Sequence, residues 1–195
     1  MWHKNGAMPL PKAKRALPPL DQKQLQELAL RYVGRYATTR AKLGAYLARK
    51  VRERGWDDVR GPEAEAIARR FAELGYIDDA AFALSRSRAL AGRGYGKRRL
   101  LEKLYAAGVD AEDSAAAREH ADQEAVSAAL RFAERRRIGP FASAKSTDRR
   151  DQERAVAAMV RAGHGFALAR AIVGLAPGVE IDENELAERA RLTVA

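Results

Sequence analysis

Apolar residues recur along most of this chain at steps of three and four, the periodicity of an amphipathic helix. The first run comprises Leu25, Leu28, Ala29, Tyr32, Val33 and Tyr36. Thr38 or Thr39 then offers an N-cap for a second helix, which stops at Gly55. Pro62 suits the first turn of a third helix that ends at Gly75. This block therefore predicts three helices.

The next block repeats the scheme. Asp78 or Asp79 is the predicted cap of its first helix, and the glycine-rich run 92–96 breaks that helix. We interpret this run as a flexible joint before the second helix. Asp110 or Asp113 is the predicted cap of the third helix.

The final block predicts one helix up to Gly139-Pro140, a polar loop over 141–148, and two further helices through Met159 and Ile172. The chain thus reads as an all-α protein of three tandem three-helix repeats, each resembling a helix-turn-helix unit. The predicted divisions are a basic N-terminal arm (1–20), repeats at 21–77, 78–122 and 123–178, and a tail or extra helix at 179–195.

Composition supports helix packing and narrows the function. Hydrophobic residues make up 47% of the chain but aromatic residues only 7%, so most apolar side chains are small helix formers. Cysteine is absent, which removes disulfides and thiolate chemistry and is typical of a cytoplasmic protein. The apolar stretches fall short of the roughly 20 residues that a membrane span needs. We therefore expect a cytoplasmic protein with no membrane contact.

Candidate chemistry is sparse. His3, His120 and His164 stand apart without metal-ligand spacing; we expect His120 to be exposed and His164 to cap a helix. The glycine-rich run 92–96 lacks the remaining residues of a phosphate-binding loop. Asp78-Asp79 is better explained by helix capping than by metal binding. The sequence therefore predicts a binding protein with no enzymatic activity, cofactor or metal.

The distribution of charge is the feature of the sequence that best indicates its function. The net charge is +10, and a surplus of this size favours contact with phosphates. Basic blocks at 21–60, 81–110 and 129–170 alternate with acidic ones. The predicted partner-binding residues are Arg40, Lys42, Arg49 and Lys50 in the first block, Arg86, Arg88, Arg93, Lys97, Arg98 and Arg99 in the second, and Arg135, Arg136, Arg137, Arg149 and Arg150 in the third.

Three tyrosines lie among these cations. Tyr46, Tyr95 and Tyr105 have the chemistry to stack on bases. Helical spacing beside leucines makes Tyr46 and Tyr105 better candidates for the edge of a core. We likewise expect Trp56, just after Gly55, to hold the following linker against its repeat.

Two segments carry a resemblance to a known family. The stretch Gly75-Tyr76-Ile77-Asp78-Asp79-Ala80-Ala81-Phe82-Ala83, followed by Arg88, the glycine-rich run and Arg99-Leu100, resembles the core of the RecX family, regulators of the RecA recombinase. The upstream segment 35–43, together with Leu47, resembles the first repeat of that family. Lys42 and Lys103 stand where the family pattern leads us to expect Glu, and the loop at 139–150 is longer than expected.

The resemblance implies an elongated, curved molecule without enzymatic activity. It implies a monomer that binds in the groove of a RecA–DNA filament, on single- or double-stranded DNA. There it would lower ATP turnover and strand exchange and favour disassembly in DNA repair. The alternative is a stand-alone DNA-binding protein, such as a helix-turn-helix transcriptional regulator, which would present one dominant recognition helix.

Overall fold

A computed structural model describes residues 17–144 and 148–192 of the chain, and regular structure in these residues is helical, apart from one bridge between Leu20 and Trp56. The helices are α1 Gln22–Val33, α2 Arg40–Arg54, α3 Ala64–Glu73, α4 Asp79–Gly92, α5 Lys97–Tyr105, α6 Ala115–Gln123, α7 Ala125–Arg136, α8 Arg149–Arg161, α9 Phe166–Gly174 and α10 Glu183–Leu192, with a 3₁₀ turn at Gly139–Phe141. The all-α prediction is confirmed. Most of the predicted N-terminal arm lies outside the described residues.

Local capping explains where several helices begin. Thr39 Oγ1 accepts a hydrogen bond from the Lys42 amide at 3.2 Å, and Asp78 Oδ1 accepts one from the Ala81 amide at 2.7 Å. Both caps are among the predicted ones. The prediction for α6 is wrong, because Ser114 precedes that helix and makes no side-chain cap, while Asp110 Oδ1 accepts from the Asp113 amide in the turn before it.

Three hydrophobic clusters form the interior. The first comprises Leu20, Leu25, Ala29, Leu43, Leu47, Ala64, Ile67, Ala68 and Ile77, with Trp56 packed against it. The second comprises Ala83, Leu100, Leu104, Ala117 and Ala121. The third comprises Ala129, Leu130, Phe132, Ala133, Met159, Ala162, Leu168, Ala169, Ile172 and Leu186. Leu186 lies on α10, so the predicted tail helix exists and contributes to the third cluster.

We call the helices around the first cluster (α1–α3) the first unit, those around the second (α4–α6) the second unit, and those around the third (α7–α10) the third unit. The first two units meet at the start of α2. Thr39 Oγ1 donates a hydrogen bond to the Ala107 carbonyl at 2.6 Å. Gly108 has a φ of +68°, and a Cβ there would lie 2.3 Å from the Cβ of Ala41. Only glycine fits this conformation and this close approach. We call this contact the first junction.

The glycine-rich run forms a second junction. The Gly96 amide donates to the Ala162 carbonyl at 3.0 Å, and a Cβ on Gly96 would lie 2.3 Å from the Gly163 carbonyl oxygen. Gly94 and Gly96 are buried, and His164 Nε2 lies 3.1 Å from the Gly94 carbonyl oxygen. The expectation of a flexible joint is therefore wrong, since the glycines permit close backbone packing between the second and third units.

Candidate nucleic-acid interface

Arg40 is held by three carboxylates, and its side chain is 42% exposed. Its Nε donates to Asp79 at 3.0 Å, and its Nη2 donates to Asp113 at 2.6 Å and to Asp110 at 3.2 Å. The Arg40 amide also donates to Asp79, whose side chain is only 2% exposed. The hydrogen bond to Asp79 raises the pKa of Arg40 above its ordinary value. The structure thus uses this predicted contact residue to join the first two units, and uses Asp79 as its buried partner.

Other predicted cations have partners within the chain. Arg49 and Lys50 pair with Glu53, Lys97 pairs with Asp122, Arg98 and Arg99 pair with Glu102, and Arg149 pairs with Glu153. These pairs are exposed and therefore weak, so a phosphate can replace the carboxylate at small cost. Two cations also cross the second junction, where Arg98 donates to the Val160 carbonyl at 2.6 Å and Arg135 donates to the Arg93 carbonyl.

The remaining predicted cations have no such partner. Within residues 17–144 and 148–192, their side chains make no hydrogen bond or ion pair with protein groups. They are Lys42, Arg86, Arg88, Arg93, Arg136, Arg137 and Arg150. These side chains can bind an external anion without first breaking an ion pair or a hydrogen bond.

Lys42 and Arg86 share one aromatic ring. Lys42 Nζ lies 4.9 Å and Arg86 Cζ lies 5.3 Å from the centre of the Phe82 ring, so both approach it at cation–π distance. Burial lowers the pKa of Lys42, and the charge of Arg86 lowers it further. Because this pair lacks a carboxylate, a bound phosphate would relieve its repulsion.

Helix α4 links this pair to the second junction. Phe82, Arg86 and Arg93 are spaced by four and seven residues, which places them within about 40° of one another around the helix axis. The helical rise separates Arg86 from Arg93 by about 10 Å along the axis. Arg93 Cζ lies 5.7 Å from the Tyr95 ring, and its carbonyl accepts from Arg135 of α7. Cations from all three units therefore lie at or near α4.

We define the α4 stripe as Lys42, Phe82, Arg86 and Arg93. The sequence pattern placed Lys42 in one basic block and Arg86 and Arg93 in another, and it did not indicate Phe82 as the ring that Lys42 and Arg86 share. The 4- and 7-residue spacing of Phe82, Arg86 and Arg93 was a signal available in the sequence. The approach of Lys42, forty residues before Phe82, was not.

The tyrosines differ from one another. Tyr46 is half-buried and stacks on Tyr32 with ring centres 4.2 Å apart, as a residue at the edge of the core should. Tyr95 is half-buried and packs against the third cluster. Tyr105 is 88% exposed, so the expectation of a core-edge position is wrong. Leu100 and Leu104 face inward, and Tyr105 is rotated about 100° from Leu104 around α5.

The histidine expectations also need correction. His164 is buried rather than capping a helix, and its ring lies 5.7 Å from that of Phe132. Burial lowers the pKa of His164. His120 is half-buried, with Nδ1 3.0 Å from Ser87 Oγ. Ser87 is only 1% exposed and its hydroxyl also lies 2.9 Å from the Ala117 carbonyl, so this pair is a buried structural contact.

The described residues offer neither a metal site nor a membrane span. Within 17–144 and 148–192, no group of three or more His, Cys, Asp or Glu side chains is arranged to hold a metal ion. None of the helices in this part of the chain combines the length and apolar character needed to cross a bilayer.

Comparison with known proteins shows the family to which this chain belongs. The model of the RecX second three-helix domain matches residues 78–117, which contain most of the α4 stripe. The regulatory protein RecX of Myxococcus xanthus is 31% identical over 175 residues, covering 86% of this chain and 91% of that protein. The chain belongs to the RecX family.

Two further RecX proteins are similar to this chain. RecX of Mycobacteroides abscessus is 39% identical over 110 residues, covering 55% of this chain and 50% of that protein. The crystal structure of RecX from Lactobacillus salivarius matches with a TM-score of 0.56 at 15% identity, over 87% of this chain and 96% of that one. This structural likeness supports the all-helical fold.

Proposed function

We propose that this protein regulates the RecA recombinase, as an inhibitor, by binding in the groove of the RecA–DNA filament. Bound there, it would lower ATP turnover and strand exchange and favour filament disassembly. The observation that carries the proposal is the α4 stripe, whose cationic side chains make no ion pair or hydrogen bond among the described residues and extend from the first junction towards the second. The relatives are named regulatory proteins, which supports a regulatory role for this chain.

The mechanism we propose is bridging. Unpaired cations neutralise DNA phosphates or acidic recombinase surfaces and release counterions, which supplies affinity without requiring a base sequence. The two junctions are closely packed, so successive units can transmit force between adjacent protomers. Holding neighbouring protomers together would oppose the subunit movements that accompany ATP hydrolysis.

The test is inhibition of RecA ATPase on single-stranded DNA. We expect the double variant Arg86→Gln/Arg93→Gln to need about tenfold more protein for half-inhibition, since each lost charge contact costs on the order of 1 kcal/mol or less. The matched control is Arg118→Gln/Arg170→Gln, which removes two exposed arginines that have no ion pair within the described residues. Equal inhibition by the folded α4-stripe variant and the control would reject the proposal.

The wild-type protein and these variants also test the alternative function, a stand-alone DNA-binding protein. Binding to bare duplex DNA, measured without RecA, should be weak and independent of sequence if the filament is the target. Tight and sequence-selective binding would instead favour a transcriptional regulator.

A further inference from the structure

A groove beside the α4 stripe shares Phe82 and Arg86 with it, and the rest of its lining has no role in the proposal above. It has a volume of about 510 Å³ and lies between the connection after α1, the connection before α4, and α4 itself. Its lining includes Tyr36, Tyr76, Phe82, Arg86 and Thr38. Sites for small organic groups usually range from about 300 to 1,000 Å³, so this volume suits one.

The groove exposes aromatic rings that are already oriented. Tyr36 is 52% exposed and Tyr76 is 56% exposed. The Tyr36 ring lies 5.2 Å from that of Tyr32, and the Tyr76 ring lies 5.4 Å from that of Phe71. Each exposed ring therefore packs against a second ring, which restricts its rotation and lowers the entropy lost when a flat ligand stacks on it.

The polar lining favours an anionic ligand. Arg86 lines the groove without an ion pair among the described residues, and Lys42 approaches the same Phe82 ring. Asp78 is the acidic residue among the described lining residues, and its Oδ1 already accepts the Ala81 amide. The groove thus combines aromatic faces with cationic charge.

We infer that this groove binds an unpaired base of single-stranded DNA, with Lys42 and Arg86 contacting the adjoining phosphates. Aromatic stacking beside a cationic track is the chemistry by which proteins bind single strands without sequence preference. The bases of a duplex are stacked on one another and do not offer their faces in this way. An apolar peptide would use the rings but not the two unpaired cations.

This inference rests on the proposed function only in taking DNA as a partner. The groove would hold a base of single-stranded DNA directly, without any contact to recombinase. The site can therefore be tested in the absence of recombinase. Failure of base binding and failure of RecA inhibition are then observed in separate assays.

The experiment is fluorescence anisotropy with two labelled probes of equal length, an oligodeoxythymidylate and an abasic oligonucleotide. Both carry the same phosphates, but only the first carries bases. We expect the full-length protein to bind the first probe about tenfold more tightly, since stacking contributes roughly 1–3 kcal/mol per base. The variant Tyr36→Ala/Tyr76→Ala should lose this preference while keeping its affinity for the abasic probe.

Two further variants separate stacking from charge. Arg86→Gln should weaken binding to both probes by the same factor and reduce the salt dependence by about one phosphate contact. Phe166→Ala removes a 60% exposed ring outside the groove and should leave the preference unchanged. Tyr36→Leu/Tyr76→Leu keeps apolar packing against the neighbouring rings and replaces the alanine variant if circular dichroism shows lost helix.

Several outcomes would overturn the inference. They are equal affinity of the wild-type protein for the two probes, retention of the preference when both tyrosines are leucine or alanine, and loss of the preference in the Phe166 control. A protein that prefers the base-bearing probe yet leaves RecA ATPase unchanged would retain the groove assignment and reject the proposed function.

Discussion

Replacing Arg40 with alanine should destabilise the protein through the carboxylates it leaves behind. Asp79 is nearly inaccessible to solvent, and Arg40 Nε is the side-chain donor that neutralises it. In the variant, Asp79 would keep the hydrogen bond from the backbone amide of residue 40 but would lose its cation. Asp110 and Asp113 would also lose their shared counter-charge. The change therefore acts on the first junction.

The magnitude follows from the burial of each partner. Removing one member of a fully buried ion pair costs about 3–5 kcal/mol. The Arg40 side chain is 42% exposed, which lets water reach part of the site and lowers the expected cost to about 2–4 kcal/mol. The Asp110 carboxylate is 57% exposed, so Asp110→Asn should change the stability much less than Arg40→Ala does. Most of the stability lost in Arg40→Ala should therefore come from the unpaired Asp79 carboxylate.

Urea-induced unfolding, followed by far-ultraviolet circular dichroism, measures these losses in the free energy of unfolding. Arg49→Ala is a matched control on the same helix, because its pair with Glu53 is exposed and spans 3.8 Å. We expect the control to stay within about 0.5 kcal/mol of wild type. A loss below about 1 kcal/mol for Arg40→Ala, or an equal loss for the control, would refute the reasoning.

Two further predictions concern the second junction and the glycines. Gly96→Ala should cost about 2 kcal/mol or more in unfolding free energy, because its Cβ would lie 2.3 Å from the Gly163 carbonyl oxygen. Gly44→Ala should instead stabilise α2 by about 0.5–1 kcal/mol, because a Cβ there would have nothing within 4 Å. Urea unfolding of both variants checks this, and a harmless Gly96→Ala would contradict the packing at the junction. His164 has a lowered folded-state pKa, so the unfolded chain binds the proton more readily and stability should fall as pH drops below the ordinary value near 6.5. In His164→Gln, urea midpoints measured below and above this pH should show a smaller fall in stability than in the wild type. If the variant and the wild type lose stability equally, the buried His164 is not the cause.

Much of the local structure could be predicted from the sequence. The caps at Thr39 and Asp78 are confirmed, because a capping side chain and its amide lie three residues apart. Apolar periodicity likewise predicted the helices, since residues three and four apart share one helix face. Local rules failed at Asp110 and Asp113, since the Asp110 carboxylate closes a preceding turn and both carboxylates bind Arg40 instead of capping α6.

The candidate site was predicted less completely. Basic residues were identified from charge alone, but charge does not show which cations are already neutralised. Arg40 finds its carboxylates 39, 70 and 73 residues later, and no pattern along the chain indicates those pairs. The groove with Tyr36 and Tyr76 was missed for the same reason, as its lining comes from separate connections and α4.

The amino-acid sequence by itself determined the helical class, the caps and the basicity of this protein, because these depend on composition and on interactions within about one helical turn. Tertiary structure decided which cations stay free, because neutralisation requires contacts between residues far apart in the chain. It also decided that the glycine-rich run is a packed junction. Glycine permits both flexibility and close approach, and only the position of Gly163 against Gly96 distinguishes the two.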